Sequence, residues 1–195
     1  MIITLFLTPV VHAGEQQYEE LSDSTRASLQ GLFSDRAPTR LFFDTPAEGE
    51  RWLAEMSRRL AKILPRRSIL QNEQARRDFL VSLHYEATRA GLPPQLVLSL
   101  VHVESAFRKY AISSAGARGY MQVMPFWTGL ISGEQPHNLF NLRTNLRYGT
   151  IILRHYLDIE KGNLFRALGR YNGSLGRAHY PNAVQAKWKK HWVWP

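Results

Sequence analysis

Between Pro46 and Leu64, the apolar residues Trp52, Leu53, Met56, Leu60, Ile63 and Leu64 recur at helical spacing with charges between them. That period predicts an amphipathic helix packed on a core, and Pro65 stops it. Residues 72–90 repeat the pattern, with Phe79, Leu80, Leu83 and Ala87 on one side. Gly91 closes this second helix, and the Pro93-Pro94 pair opens the next, since proline suits a first helical turn. From Pro94 to Ser105 the apolar residues Leu96, Val97, Leu98, Leu100, Val101 and Val103 leave almost no polar side, so this helix belongs in the centre of the domain. Further helices are predicted over 142–156, with Leu146, Ile152, Leu153, Tyr156 and Leu157 as apolar members, and over 164–170, ending at Tyr171-Asn172-Gly173. A short helical pattern lies around 24–33, with a turn signal at Ala37-Pro38. Alternating strand patterns are scarce, so the expected fold class is mainly α.

Composition narrows the chemistry. A chain of 195 residues with 44% apolar content supports one ordinary domain with a core and room for an extension. There is no cysteine, which excludes disulfides, a cysteine nucleophile and thiolate-bound zinc. The formal charge of +9 favours a polyanionic partner or surface: nucleic acid, acidic lipid or an anionic cell-wall polymer. No nucleic-acid motif accompanies that charge, so nucleic acid is not an expected partner. After Glu86 the only acids are Glu104, Glu134, Asp158 and Glu160. The first thirteen residues form an apolar run ending in Val11-His-Ala13, like the back half of a secretory signal without its basic start. A buried N-terminal segment is the alternative, and the signal is the reading taken. No other run approaches the ~20 apolar residues of a spanning helix.

Among those few acids, Glu104 stands out because it ends the apolar helix. Apolar surroundings and the negative end of the helix dipole both disfavour its charged form. A carboxylic acid still protonated near neutral pH can give its proton to a leaving oxygen. Next comes a loop of small residues, Ser113-Ser-Ala-Gly116-Ala-Arg-Gly119, and then Tyr120-Met121-Gln122-Val-Met124. Its hydroxyls, amide and flexible thioethers are what a sugar needs: partners for hydroxyls and acetamides, and apolar contact for ring C–H faces. Most glycosidases use two carboxylates. None lies near Glu104 in sequence, and Glu134 and Asp158 remain open as spatial partners without a motif behind either. Without a partner acid, an acetamido oxygen or a hydroxyl of the same sugar must be the nucleophile. His102 beside Glu104 reads as structural, no His/Asp/Glu set has metal-ligand spacing, and no cofactor is expected.

Three motifs now fall in order: Glu104-Ser105, then Gly119-Tyr120-Met121-Gln122-Val-Met124-Pro125, then Arg170-Tyr171-Asn172-Gly173. Their order and spacing resemble the soluble lytic transglycosylases of bacterial cell walls, whose core is lysozyme-like, of the goose type. The lead-in 91–97 and the segment 141–149 resemble that family too, and the likeness covers residues 75–180. It implies a lysozyme-like transglycosylase catalytic domain over 75–195, an N-terminal helical extension over 14–74, and a signal-peptide remnant over 1–13.

The same resemblance implies roles. Glu104 matches the single catalytic acid, which protonates the bond between N-acetylmuramic acid and N-acetylglucosamine. As a carboxylate it then takes the proton of the muramic C6 hydroxyl, giving a 1,6-anhydro product. Ser113 matches a holder of the substrate acetamide, Gln122 and Met124 groove-lining positions, Tyr171 a tyrosine bonded to the catalytic glutamate, and Asn172 its neighbour. Met121 belongs to the same substrate-binding set. Tyr120 stands where the family has leucine, either as a stacking surface at the groove or as a packed aromatic. Arg170 and Gly173 stand where it has alanine. Peptidoglycan glycan strands are the implied partner, with a monomer working in the periplasm or cell envelope; association with a membrane surface or an envelope assembly stays open. A hydrolytic goose-type muramidase and a non-catalytic glycan-binding scaffold are the alternative functions. The tail Lys187-Trp188-Lys-Lys-His-Trp192-Val-Trp194 interleaves bases with tryptophans, for contact with glycan or membrane or for packing onto the core.

Overall fold

Pro46 and Thr45 start the first long helix as the sequence predicts, with the Thr45 hydroxyl accepting the Glu48 amide at 3.2 Å and proline in the first turn. The structure, a computed structural model, describes residues 16, 20–30, 41–132 and 138–194. The Val11–Ala13 signal motif, the Ala37-Pro38 turn and Glu134 lie outside these residues. Among the described residues the α-helices are α1 (Asp23–Gln30), α2 (Pro46–Ile63), α3 (Glu73–Arg89), α4 (Pro94–Glu104), α5 (Phe126–Ser132), α6 (Leu142–Ile159), α7 (Leu164–Asn172) and α8 (His179–Lys187). A 3₁₀ turn covers Ile69–Gln71 and a π turn covers Trp188–Trp192. The described residues hold no strand, only isolated bridges at Ile112–Arg118 and Arg118–Val123. The fold is mainly α.

Side-chain oxygens of Asn72, Asn141 and Asn163 accept amides of Ala75, Thr144 and Arg166, capping α3, α6 and α7. Gly173 ends α7 at φ 76°, the left-handed conformation that glycine adopts without strain. α6 runs three residues beyond the predicted Tyr156 and α7 two beyond Arg170; Leu157, Tyr171 and Asn172 of the added residues are buried, while Asp158 and Ile159 are exposed. Neither α5 nor α8 was expected. α8 buries only Tyr180, Pro181 and Val184, too few for a period to show.

Packing follows from α4. It is covered by α3 on one side and by α8 and the π turn on another, while α6 packs on α3 and α7. One cluster of buried side chains runs from Trp52 and Met56 of α2 through Phe79 and Leu98 to Tyr180 and Trp192. The tail joins it: Trp192 is fully buried, and Trp188 and Trp194 pack against the cluster. Arg59 of α2 holds that end, donating to the carbonyls of His191 at 3.1 Å and Val193 at 2.7 Å.

The core also contains charge. Glu86 of α3 and Arg147 of α6 are almost fully buried and face each other, with Arg147 Nη2 at 3.0 Å from Glu86 Oε1 and Nε bound to Oε2. Burial pushes the Glu86 carboxyl upward while Arg147 pulls it down. Removing Arg147 leaves Glu86 only the more distant Arg143, 3.8 Å away, at a cost of about 3–5 kcal/mol. Arg147→Met should therefore lower the urea midpoint sharply, whereas Glu86→Leu combined with Arg147→Met should recover most of the loss. A double variant no more stable than the single would show that the pair is not what the single change disrupts.

Candidate active site

Because α4 is apolar on all sides, its last residue is carried into the interior, and Glu104 is left only 7% exposed. The Ser105 amide closes the helix on the Val101 carbonyl at 3.1 Å. Ala106 and Phe107 then turn the chain at φ 48° and 61°. Two such residues in succession cost on the order of 1–3 kcal/mol each. Burial of the Phe107 ring edge-on to Phe79 and Trp192, at 5.9 and 5.6 Å, opposes that cost.

One oxygen of Glu104 accepts the hydroxyl of Tyr180, from α8. The other, Oε2, is buried with no hydrogen-bond partner among the described residues. Burial raises the Glu104 carboxyl to about 8, against the opposing effect of the Tyr180 bond. Among the described residues no neighbouring carboxylate contributes to that rise. Asp158 pairs with Arg154 at 2.6 Å on α6, in a cleft it shares with Glu86 and Arg147.

The loop after α4 is held by its own small residues and by α6. Ser113 Oγ accepts the Ala117 amide at 3.0 Å, closing the 113–117 turn. Gly119, at φ 77°, lies so close to α6 that a Cβ there would meet Asn145 Nδ2 at 2.4 Å. Asn145 is buried and pins the loop twice, accepting the Met121 amide and donating to the Arg118 carbonyl, each at 2.8 Å, and it also donates to the Leu139 carbonyl before α6 at 2.9 Å. The Met121 side chain fills the space above Gly149, where a Cβ would meet its sulfur at 2.4 Å. Gln122, at φ 50°, turns its amide inward to the carbonyls of Ala111 and Gly119 at 3.1 and 2.9 Å.

Tyr171 differs from expectation. Its hydroxyl donates to the Met121 carbonyl at 2.8 Å, and the glutamate's partner is Tyr180 instead. The two tyrosines are nonetheless one group. Burial and the Glu104 charge raise both phenols well above their usual range. Tyr120 packs inside, 4.9 Å from Phe79, so the stacking surface is absent and the packed aromatic is found. Met121, Gln122 and Asn172 are likewise buried, while Ser113 and Met124 are half-buried. His102 packs among Phe107, His191 and Trp192, and burial lowers it to about 4, so it stays neutral.

Tyr180, Asn145 and Gln16 escaped the sequence reading. Asn145 left a signal, a polar residue on the buried face of α6; Tyr180 and Gln16 left none. Gln16 is 6% exposed and reaches the loop tip from more than a hundred residues away. Its Oε1 accepts the Trp127 indole N–H at 2.9 Å and the Met124 amide at 3.3 Å, and its Nε2 donates to the Gln122 carbonyl at 3.3 Å. On the surface, Ala106 forms one wall of a cleft with Ile69, Arg108, Tyr110 and Ile112, opening two residues from Glu104.

A family model described as the transglycosylase SLT domain matches residues 82–194. Membrane-bound lytic murein transglycosylase C of Actinobacillus pleuropneumoniae (serotype 5b, strain L20) is 44% identical over 85 residues, 40% of this chain and 23% of that protein. The protein of the same name from Haemophilus influenzae (strain PittEE) is 30% identical over 115 residues, 51% of this chain and 32% of that one. This chain thus spans about a quarter to a third of the length of these curated relatives. A crystal structure of an inactive mutant of lytic transglycosylase Slt from Pseudomonas aeruginosa superimposes with a TM-score of 0.43 at 27% identity, over 62% of this chain and 18% of that one.

A carboxyl raised on folding from 4.5 to about 8 weakens the fold as pH rises between those values, because the unfolded state releases its proton first. Glu104→Gln should thus be more stable than the wild type, by a gap that opens above pH 4.5 and levels off near 8. The plateau is on the order of a few kcal/mol. Thermal melts at pH 5, 7 and 9 measure it, and a gap that shrinks with rising pH would mean that the ionised form is the stabilised one.

Proposed function

The chain belongs to the transglycosylase SLT domain family, and on that premise we propose that it is a peptidoglycan lytic transglycosylase. It cleaves the β-1,4 bond between N-acetylmuramic acid and N-acetylglucosamine and leaves a 1,6-anhydromuramoyl end. The observation that carries this reading is the Glu104 carboxyl: buried, raised to about 8, bonded on one oxygen by Tyr180 and, among the described residues, without a hydrogen-bond partner on the other. A proton on Oε2 is delivered to the glycosidic oxygen as its bond to C1 breaks. The carboxylate so formed lies beside the positive charge developing at C1. It then takes the proton of the C6 hydroxyl as that oxygen bonds C1, closing the anhydro ring and restoring the acid. No water enters.

Among the described residues no second carboxylate shifts Glu104, which supports a substrate that supplies its own nucleophile. Tyr180 positions the acid, and Tyr171 fixes the Met121 carbonyl at the loop tip. Ser113 is the acetamide-holding residue, and Gln122, Met124 and Asn172 shape the groove. Tyr120 and Met121 support the loop from inside. The substrate is a glycan strand of the wall, so the site of action is the periplasm or cell envelope. Among the described residues no helix is long and apolar enough to cross a membrane.

Glu104→Gln should fold cooperatively and lose about 10²–10⁴-fold in kcat on purified sacculi. Mass spectrometry of the wild-type muropeptides should find ends one water lighter than reducing ends. Reducing ends in their place would make the protein a hydrolytic muramidase, and sacculi bound without release would make it a scaffold. The rate should also fall on a basic limb near pH 8, where Glu104 loses its proton. A rate still rising through pH 9 would remove Glu104 as the acid.

A further inference from the structure

The surface cleft that opens beside Glu104 plays no part in the acid chemistry. One of its walls is the connection between α2 and α3, with Arg67 and Ile69, and the other is the segment after Glu104, with Arg108, Lys109, Tyr110 and Ile112. Both walls are held by local bonds. The Ser68 amide closes a turn on the Pro65 carbonyl at 2.9 Å, and the Ser68 hydroxyl accepts the Leu70 amide at 3.3 Å. Opposite, the Arg108 amide and its guanidinium Nε both donate to the Ser105 carbonyl, at 3.1 and 3.0 Å, one residue from the acid. The space between the walls is about 440 Å³, within the range of sites for small ligands. Its surface is apolar and cationic at once. Tyr110 and Ile112 are 66% and 64% exposed, and Ile69 is 49% exposed, an apolar patch that calls for a partner. No acid lines the cleft, and among the described residues no ion pair engages Arg67, Arg108 or Lys109. A ligand complementary to these walls carries carboxylates at its edges and aliphatic groups between them.

We propose that this cleft takes the peptide stem of peptidoglycan, and that Arg67 and Lys109 recognise the carboxylates of that stem. The inference rests on the proposed glycan substrate and adds to it a preference for strands that still carry their peptides. The chemistry of a stem matches the walls: alanine methyls and methylene chains for Ile69, Tyr110 and Ile112, and carboxylates that outnumber the amines for the cations. Its point of attachment matches the place. On a muramic residue the peptide hangs from C3, the carbon next to the acetamide at C2. The segment 108–112 runs directly into Ser113, the residue assigned to that acetamide, so a stem leaving C3 starts beside the cleft. The wall formed by residues 65–69 lies outside the family segment 82–194, so the preference belongs to the N-terminal extension of this chain. The concave shape favours a peptide over a lipid surface, because a bilayer, being flat, would reach only the rim.

The test measures kcat and KM of the full chain on soluble, uncrosslinked glycan strands that keep their stems, and on the same strands stripped of peptide by an amidase. Arg67→Gln combined with Lys109→Gln should raise KM on the stemmed strands about fivefold at unchanged kcat, and should change neither constant on the stripped ones. Lys62→Gln combined with Arg66→Gln removes the same charge from exposed residues off the cleft and should behave as wild type. An unchanged KM on stemmed strands overturns the proposal. An equal rise on stripped strands also overturns it, since the contact would then be with the glycan itself. So does an equal rise in the control pair, which would mean a general attraction of a basic protein for an anionic wall. If KM holds while binding to phosphatidylglycerol vesicles is lost, the cleft is a membrane contact and the proposal falls. Should the double variant melt early, Arg67→Gln alone is judged by the same criteria, since Arg67 is exposed and makes no hydrogen bond among the described residues. A wild type that releases nothing from either strand would remove the transglycosylase reading, and this one with it.

Discussion

A single carboxyl group kept out of water is the constraint around which this protein is arranged. Glu104 can be buried because α4 is apolar on every side, and α4 can be so apolar because α3, α8 and the π turn cover it. The cover supplies one hydroxyl, that of Tyr180, and leaves the second oxygen without a hydrogen-bond partner among the described residues. A fully satisfied carboxylate would be a stable structural group and a poor acid. Burial without complete satisfaction keeps the proton on at neutral pH and opposes stability. The contrast with Glu86 is instructive. That acid is buried as deeply but faces the Arg147 guanidinium in a two-pronged ion pair.

Most of the helical framework was legible in the sequence. α2, α3, α4, α6 and α7 each bury a recurring apolar set, and each starts at proline, or at an asparagine or threonine whose side chain caps it. α8 lacked such a set, and with it Tyr180 stayed hidden. The Tyr171 motif pointed to a tyrosine near the acid, and one is near. Which of two buried phenols reaches the carboxylate is decided by how α7 and α8 pack, and spacing along the chain carries no record of that. Glu104 itself was readable only together with the loop that follows it, since a glutamate at a helix end alone more often just reaches solvent. Gln16 was not, because a contact spanning more than a hundred residues between polar groups leaves no period and no local signal.

The loop between α4 and α5 depends on absent atoms as much as on those present. At Gly119 and Gly149 a single extra carbon would collide with Asn145 or Met121. These tight approaches let α6 act as a rigid backing for the loop tip. The tip then aims its backbone, rather than long side chains, toward the neighbourhood of Glu104.

That reliance on backbone has a consequence for how the site tolerates sequence drift. The Met124 amide and the Gln122 carbonyl exist whatever side chains those positions carry. Substituting the residues that own these atoms cannot delete them, and only a change in the residues that aim them can. Heritable damage should therefore concentrate in the scaffold, at Asn145, Gly119 and Gly149, more than in the side chains of the loop tip. Two such proteins can diverge widely in the residues lining the groove and still present the same pattern of hydrogen-bonding atoms.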